Sequence, residues 1–342
     1  VTKKQRTAEV LAKDSLTGDA GTWKGRSITS VEQITPAGLK LVFDYADKCK
    51  NMVEDEKGKG MCELLKGKIM AAVFYEASTR TNCSFQAAML RMGGTVIPVD
   101  SSSSAAKKGE SLSDTIRCLE CYCDILVLRH PLKGSADEAA TAACIPVLNA
   151  GDGTGEHPTQ ALLDLYTIRA ELGSDAPAGK TVTLVGDLKN GRTVHSLAML
   201  ISRGDFKGVK LSYVSPLELK MPEYVKTHIA SNDAIHQDEE TDLGKALESA
   251  DVVYMTRVQR ERFEKEADYE KVKGCYILTA KLLEAHAKKD MIILHPLPRV
   301  DEISTDVDAD PRAAYFRQMR NGMYVRMALL GLVMGVPAPY IR

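Results

Sequence analysis

Short apolar runs recur along this chain, and most are separated by enough residues for one helix. The runs fall at 69–75, 95–99, 124–129, 145–149, 181–186, 209–214, 251–256 and 291–295. Their length and near-continuous hydrophobicity predict strands buried on both faces. Between most of them apolar residues return every three or four positions. That spacing predicts amphipathic helices at 79–92, 111–122, 135–143, 158–172 and 191–203, with a last helix near 312–335. Strand alternating with helix predicts an α/β protein built from doubly wound parallel sheets. No internal repeat is visible.

Punctuation refines this picture. Ser135 followed by Glu138 has the spacing of a capping box. Gly173 stands where the long segment "HPTQALLDLYTIRAEL" should stop, and "GSDAPAGK" after it marks the expected domain change. A length of 342 residues exceeds what one core usually holds, so two domains are expected. The first forty residues are weakly patterned until "SITSVEQITPAGLKLVFDYADKCK". Residues 1–22 are expected to form a flexible extension and "DEKGKG" (55–60) an exposed loop. The chain opens on Val1, not Met, which fits either processing or a piece of a longer polypeptide.

Composition narrows the function. Lys plus Arg number 45 and Asp plus Glu 46, a net charge of −1, so a polyanion-binding surface is not expected. No apolar run approaches the ~18 residues of a membrane span. No secretory signal is visible at the N-terminus. Eight cysteines without secretory features read as reduced thiols in the cytoplasm. "CLECYC" (Cys118, Cys121, Cys123) lacks the second ligand pair of a structural zinc site, so no metal is expected there. "GKT" at 179–181 leads into a strand, and "GDLKNG" at 186–191 lacks dinucleotide spacing, so neither is a nucleotide loop.

The candidate chemistry lies at strand ends, where open α/β sheets bind ligands. "FYEASTRTNCSF" (74–85) sets Ser78, Thr79, Arg80 and Thr81 between a strand and a helix start. Helix-start N–H groups, three hydroxyls and a forked cation suit a phosphate. The plainer reading is a simple N-cap; Arg80 and Thr81 favour the anion. Further strand ends carry Arg129 and His130, then His157 and Gln160. The second half repeats the arrangement with Arg192 and His195, Arg257 and Gln259, and the Pro-stiffened "HPLPR" (295–299). Two arginines from different strands suit a dicarboxylate. Arg260 and Arg262 read as a solvated charged face. "DSSSSAAKKGES" (100–111), with Lys107 and Lys108, reads as a mobile basic loop able to close over an anion. Cys83, inside a helix, reads as a packing residue.

These motifs, "FYEASTRT", "RHP" (129–131), "HPTQ" (157–160), "GDLKNGRTVHS" (186–196), "TRVQRERF" (256–263), "HPLPR" and the closing "DADPRAAYFRQMRNGMYVRMALL" (308–330), resemble the aspartate/ornithine carbamoyltransferase family over about 25–335. Within it the chain is most similar to the aspartate branch and its eukaryotic form. The ornithine branch typically has Lys where Glu76 stands and Cys where Leu297 stands; Ala77 replaces a commoner Pro.

The resemblance implies two parallel-sheet domains joined by long helices. A carbamoyl-phosphate domain would span 23–165 plus 310–336, an aspartate domain 166–309 and a tail 337–342. It implies carbamoyl transfer from carbamoyl phosphate to L-aspartate in pyrimidine (UMP) biosynthesis, with no cofactor or metal. Ser78, Thr79, Arg80 and Thr81 would hold phosphate. Thr81, Arg129 and His157 would polarise the carbonyl, and Gln160 would hold the carbamoyl amine. Arg192, Arg257, Gln259 and the backbone at Leu297 and Pro298 would take aspartate. Ser104 and Lys108 would reach in from a neighbouring subunit of a homotrimer. A place within a larger pyrimidine-synthesis polypeptide is also implied. The competing expectations are an ornithine enzyme and a catalytically silent scaffold domain.

Overall fold

The structure, a computed structural model, describes residues 15–55, 61–100 and 109–338. The chain divides into two compact units. One comprises the described residues up to Leu162 and those from Asn321 on; the other is Leu163–Arg320.

In the first unit β1 (Ile69–Phe74), β2 (Thr95–Asp100), β3 (Ile125–His130) and β4 (Val147–Asp152) form one parallel sheet in the order β2-β1-β3-β4. Its helices are α1 (Pro36–Glu54), α2 (Thr79–Arg91), α3 (Leu112–Leu119) and α4 (Ser135–Ala142). Helix α5 (Pro158–Leu172) begins here and continues into the second unit. The cluster Ala71, Val73, Ile116, Leu126, Leu128 and Val147 packs one face of the sheet. Each fully buried Leu, Val or Ile of this kind contributes about 1.5–3 kcal/mol.

The second unit holds β5 (Thr181–Val185), β6 (Val209–Val214), β7 (Ile235–Glu240), β8 (Val252–Met255) and β9 (Ile292–Leu294), parallel and ordered β7-β6-β5-β8-β9. Its helices are α6 (Arg192–Arg203), α7 (Glu223–Ile229), α8 (Leu243–Ser249), α9 (Glu266–Val272), α10 (Ala280–His286) and the first part of α11 (Tyr315–Val333).

All eight apolar runs are strands. A further strand, β7, reads "IHQDEE" and has no apolar run to betray it. It lies at the sheet edge, where Asp238 pairs with Lys210 at 2.6 Å and Glu239 with Lys220 at 2.7 Å and Lys226 at 2.9 Å. Charge of this kind discourages edge-to-edge pairing with another chain.

The Ser135–Glu138 capping box does not form. Gly134, at φ +87, is the N-cap, and Ser135 Oγ donates to Leu132 O at 2.7 Å and lies 2.8 Å from His130 Nδ1. Gly173 closes α5 at φ +107, as its position predicts.

The compact units meet inside α5, a few residues from the expected boundary at 165/166; "GSDAPAGK" and 310–320 lie in the second unit. The chain crosses at Leu162/Leu163, inside α5, and at Arg320/Asn321, inside α11. Loop residues mark helix ends, and a boundary running through a helix leaves no such mark. Residues 15–22, expected to be a flexible extension, are tied down: Leu16 is fully buried and its N–H donates to Gln33 O at 2.7 Å. Residues 1–14, 56–60 and 339–342 lie outside the described residues.

Candidate active site

The order β2-β1-β3-β4 changes direction between β1 and β3, so the expected ligand crevice lies beyond the carboxyl ends of those two strands. Tyr75 N–H donates to Arg129 O at 2.9 Å, keeping the strand ends side by side. Glu76 forms an ion pair with Arg129, and Arg129 Nη1 donates to Ala150 O at 3.2 Å on β4. The guanidinium therefore ties together the ends of β1, β3 and β4.

Helix α2 starts at Thr79 with Ser78 as N-cap, yet the Ser78 side chain makes no capping bond. Ser78 thus holds the N-cap position without a side-chain bond to the helix start. Thr81 is buried, Ser78 and Arg80 half-buried and Thr79 exposed, all within the first turn. The helix dipole adds partial positive charge at this turn.

His157 and Gln160 open α5 beyond the end of β4, and both are buried. The loop before them is clamped from two sides. Asp152 accepts N–H bonds from Gly134 at 2.7 Å and from Glu156 at 2.7 Å. Glu156 accepts from Ser30 Oγ and, at 2.9 Å, from Val31 N–H. Burial pushes the Glu156 carboxyl up to about 7, against the pull of those two bonds. His130 is a structural anchor: its Nδ1 accepts Leu132 N–H at 3.1 Å, and burial holds its pKa below the usual imidazole value.

The second unit repeats this geometry. Its order changes direction between β5 and β8. Gly186, at φ +113, follows β5 so closely against β8 that a Cβ would stand 2.3 Å from Thr256 O. Asp187, fully buried, comes next. It accepts from Asn190 N–H at 3.0 Å and weakly from Gln259 N–H at 3.4 Å, and Gln259 Nε2 donates to Asn190 O at 3.3 Å. Burial raises the Asp187 pKa, partly offset by these donors.

Arg192 opens α6, and Arg257 follows β8 by two residues; both are half-buried. A cavity of about 60 Å³ is lined by Gly186, Thr256, Arg257, Tyr269, Lys273 and Asp301, among others. Arg192, Gln259, Leu297 and Pro298 are not among its lining residues. His195 is buried with Nε2 2.6 Å from Leu188 O, a packing role in place of a substrate contact.

Leu297 and Pro298 lie in the turn after β9. Leu297 is at φ +54, and its N–H donates to His295 Nδ1 at 2.7 Å.

Several neighbouring expectations change. Arg260 is exposed and paired with Glu266 at 2.9 Å, as a solvated face predicts; Arg262 is half-buried, with a buried Nε that has no partner among the described residues. Cys83 is exposed, so its position inside a helix gives it no packing role in this chain. Ser104, Lys107 and Lys108 lie outside the described residues. Sequence reading passed over the supporting roles of Glu76 and Asp187. Asp187 sits directly after a strand and Gly186, which is the signal that could have found it.

The chain matches two family models: aspartate/ornithine carbamoyltransferase, carbamoyl-P binding domain, over residues 26–170, and the Asp/Orn binding domain of the same family over 178–333. It is 51% identical over 311 residues to the multifunctional protein pyr1-3 of Dictyostelium discoideum, covering 91% of this chain but only 14% of that one. It is 49% identical over 313 residues to the aspartate carbamoyltransferase catalytic subunit of Thermoplasma acidophilum, covering 91% and 99%. The Trypanosoma cruzi aspartate transcarbamoylase, solved with carbamoyl phosphate and aspartate, superposes with a TM-score of 0.85 at 44% identity, over 92% of this chain and 98% of that one. Two full domain matches and relatives near half identity place the chain in the aspartate/ornithine carbamoyltransferase family, among the aspartate carbamoyltransferases.

Proposed function

We propose that this chain transfers the carbamoyl group of carbamoyl phosphate to the α-amine of L-aspartate, giving N-carbamoyl-L-aspartate and phosphate. The observation that carries the reading is that each unit has, at its own switch point, a set of side chains suited to anions. In the first unit the ends of β1, β3 and β4 lead to Ser78, Thr79, Arg80 and Thr81, to Arg129, and to His157 and Gln160, while in the second Gln259, two residues after Arg257, bonds the Asp187 loop that leads to Arg192. The first set suits a phosphate and a polarised carbonyl; the second suits carboxylates.

The amine attacks the carbamoyl carbon, and negative charge grows on the carbonyl oxygen. Thr81, Arg129 and His157 stabilise that charge. Donors fixed in advance are worth about 3–4 kcal/mol each at such an oxygen. Glu76 and Ala150 hold the Arg129 fork in one orientation, so little reorganisation is needed as the charge develops. Arg80 and the first turn of α2 receive the departing phosphate. Alignment of the two substrates supplies roughly 7–11 kcal/mol more. No covalent intermediate on the protein is required.

Glu76 argues for aspartate over ornithine. A Lys at that position would put like charge against Arg129 in place of the ion pair. Assembly as a homotrimer follows from the family resemblance, with Ser104 and Lys108 completing a neighbour's site. The match to multifunctional relatives supports a place in a larger pyrimidine-synthesis polypeptide. Eight unpaired cysteines fit the reducing cytoplasm.

Purified chain supplied with carbamoyl phosphate and either amino acid tests the reaction. Carbamoyl-aspartate is the expected product. Citrulline from ornithine would move the chain to the other branch, and no turnover with either would support the scaffold reading.

A further inference from the structure

The turn after β9 is built around two side chains to which no role has been assigned, His295 and Glu302. Both are buried, at 1% and 5% exposure. Leu297 N–H donates to His295 Nδ1 at 2.7 Å, so Nδ1 acts as an acceptor and carries no proton. The ring proton therefore sits on Nε2, which lies 2.7 Å from Glu302 Oε1. Glu302 Oε2 in turn accepts Val300 N–H at 3.1 Å and Asp301 N–H at 3.2 Å. Burial alone would raise the Glu302 carboxyl; His295 and backbone N–H groups, that of Val300 among them, outweigh it and hold the carboxyl below its ordinary value.

The support continues inward. His295 N–H donates to Gln318 Oε1 at 2.9 Å, and Gln318 Nε2 donates to Asp164 Oδ1 at 2.6 Å. Asp164 also accepts from Tyr254 OH at 2.8 Å. Gln318, Asp164 and Tyr254 are fully buried. His295, anchored to this network through its backbone N–H, thus presents its ring to a residue, Leu297, in the left-handed region that side chains other than glycine rarely occupy. A Leu there needs a specific partner to keep it, and the partner on its N–H is His295.

We propose that His295, fixed as the Nε2–H tautomer by Glu302, is a positioning residue that sets the Leu297–Pro298 backbone for the amino-acid substrate. The inference rests on the reading that this turn contacts aspartate. His295 itself touches no substrate; it acts through Leu297.

The test compares three variants by steady-state kinetics. His295→Gln keeps a donor toward Glu302 but removes the acceptor at the Nδ1 position. It is expected to raise the aspartate KM about tenfold while the carbamoyl phosphate KM stays within about twofold. His295→Asn places an amide oxygen near the Nδ1 position and is expected to recover most of that loss. Glu302→Gln turns an NH₂ group toward donors and is expected to raise the aspartate KM as His295→Gln does. An aspartate KM unchanged in His295→Gln, or both substrates' KM rising together, overturns the inference while leaving the reaction intact. Wild-type chain that turns over but shows no saturation by aspartate overturns the reading of the turn, and the inference with it. Should the variants fold poorly, side-chain nitrogen NMR of the wild-type chain decides: an Nδ1–H tautomer at His295 overturns the proposal, and an Nε2–H tautomer supports it.

Discussion

At the scale of single residues, the anion turn depends on Arg80. Neighbouring hydroxyls can hydrogen-bond a phosphate but cannot neutralise it, and a planar guanidinium does both. Arg80→Ala is expected to lower kcat by about 10²–10³, with circular dichroism unchanged, because the residue is half-buried at a helix start and not in the core.

Glu156 gives a pH dependence of unusual sign. Its folded pKa is raised to about 7 from 4.5, so the folded chain holds a proton that the unfolded chain releases between those values. The stability this adds is full below about pH 4.5 and is lost as pH rises to about 7, after which the curve flattens. Glu156→Gln keeps an acceptor for Val31 N–H and a group for Ser30 Oγ, and should remove this slope, worth about 1–3 kcal/mol across the window. Melting temperatures of both chains at pH 5, 6, 7 and 8 check it: the variant's advantage should be absent at pH 5 and full by pH 8.

Which residues were legible follows from what each one does. The groups proposed to face substrate, such as Arg80, His157 and Arg257, are polar residues out of place at strand ends, and pattern alone exposes them. Glu76 and Asp187 hold other side chains or backbone from a distance in sequence: Glu76 lies 53 positions from Arg129 and Asp187 lies 72 from Gln259. Nothing local marks such a pairing.

Among elements, legibility tracked apolar content. Strands buried on both faces announce themselves, and the helices between the first six strands were read to within a few residues. The seven-residue helices α7, α8, α9 and α10 offer at most two turns of period, too few to stand out. Helix α1 was singled out only as patterned sequence, although Thr35 caps it through Gly38 N–H at 3.1 Å and Pro36 sits at its first turn.

The junction of β5 and β8 carries the second unit's candidate site, and Gly186 is its tightest point. Gly186→Ala adds a Cβ 2.3 Å from a backbone oxygen on a residue at φ +113, so the strand ends must separate. A loss of about 2–4 kcal/mol is expected. Because Asp187 follows directly, the aspartate KM should rise more than the carbamoyl phosphate KM. Calorimetry with paired kinetics would show both effects; a Tm within one degree of wild type would refute the close-packing argument.

For the whole molecule, the question is whether one chain makes one site. In the proposed site the first unit supplies His157, while Lys108 is assigned to the neighbour's site. If that assignment holds, a Lys108→Ala chain still carries a sound His157, and a His157→Ala chain still carries a sound Lys108. In the proposed trimeric assembly, each variant homotrimer is expected to be inactive alone. In a mixed trimer the ring closes so that about one site in three joins the intact His157 of one chain to the intact Lys108 of the next. Equal mixing with full exchange makes roughly three-quarters of the trimers mixed, so recovery should approach about a quarter of wild-type activity. That figure also separates mechanisms. A site built within one chain gives no recovery however thoroughly subunits exchange, and native mass spectrometry of the mixture would establish the exchange. Recovery near a quarter requires a cyclic, shared site, because a chain whose own Lys108 served its own His157 would have no intact pair in any combination.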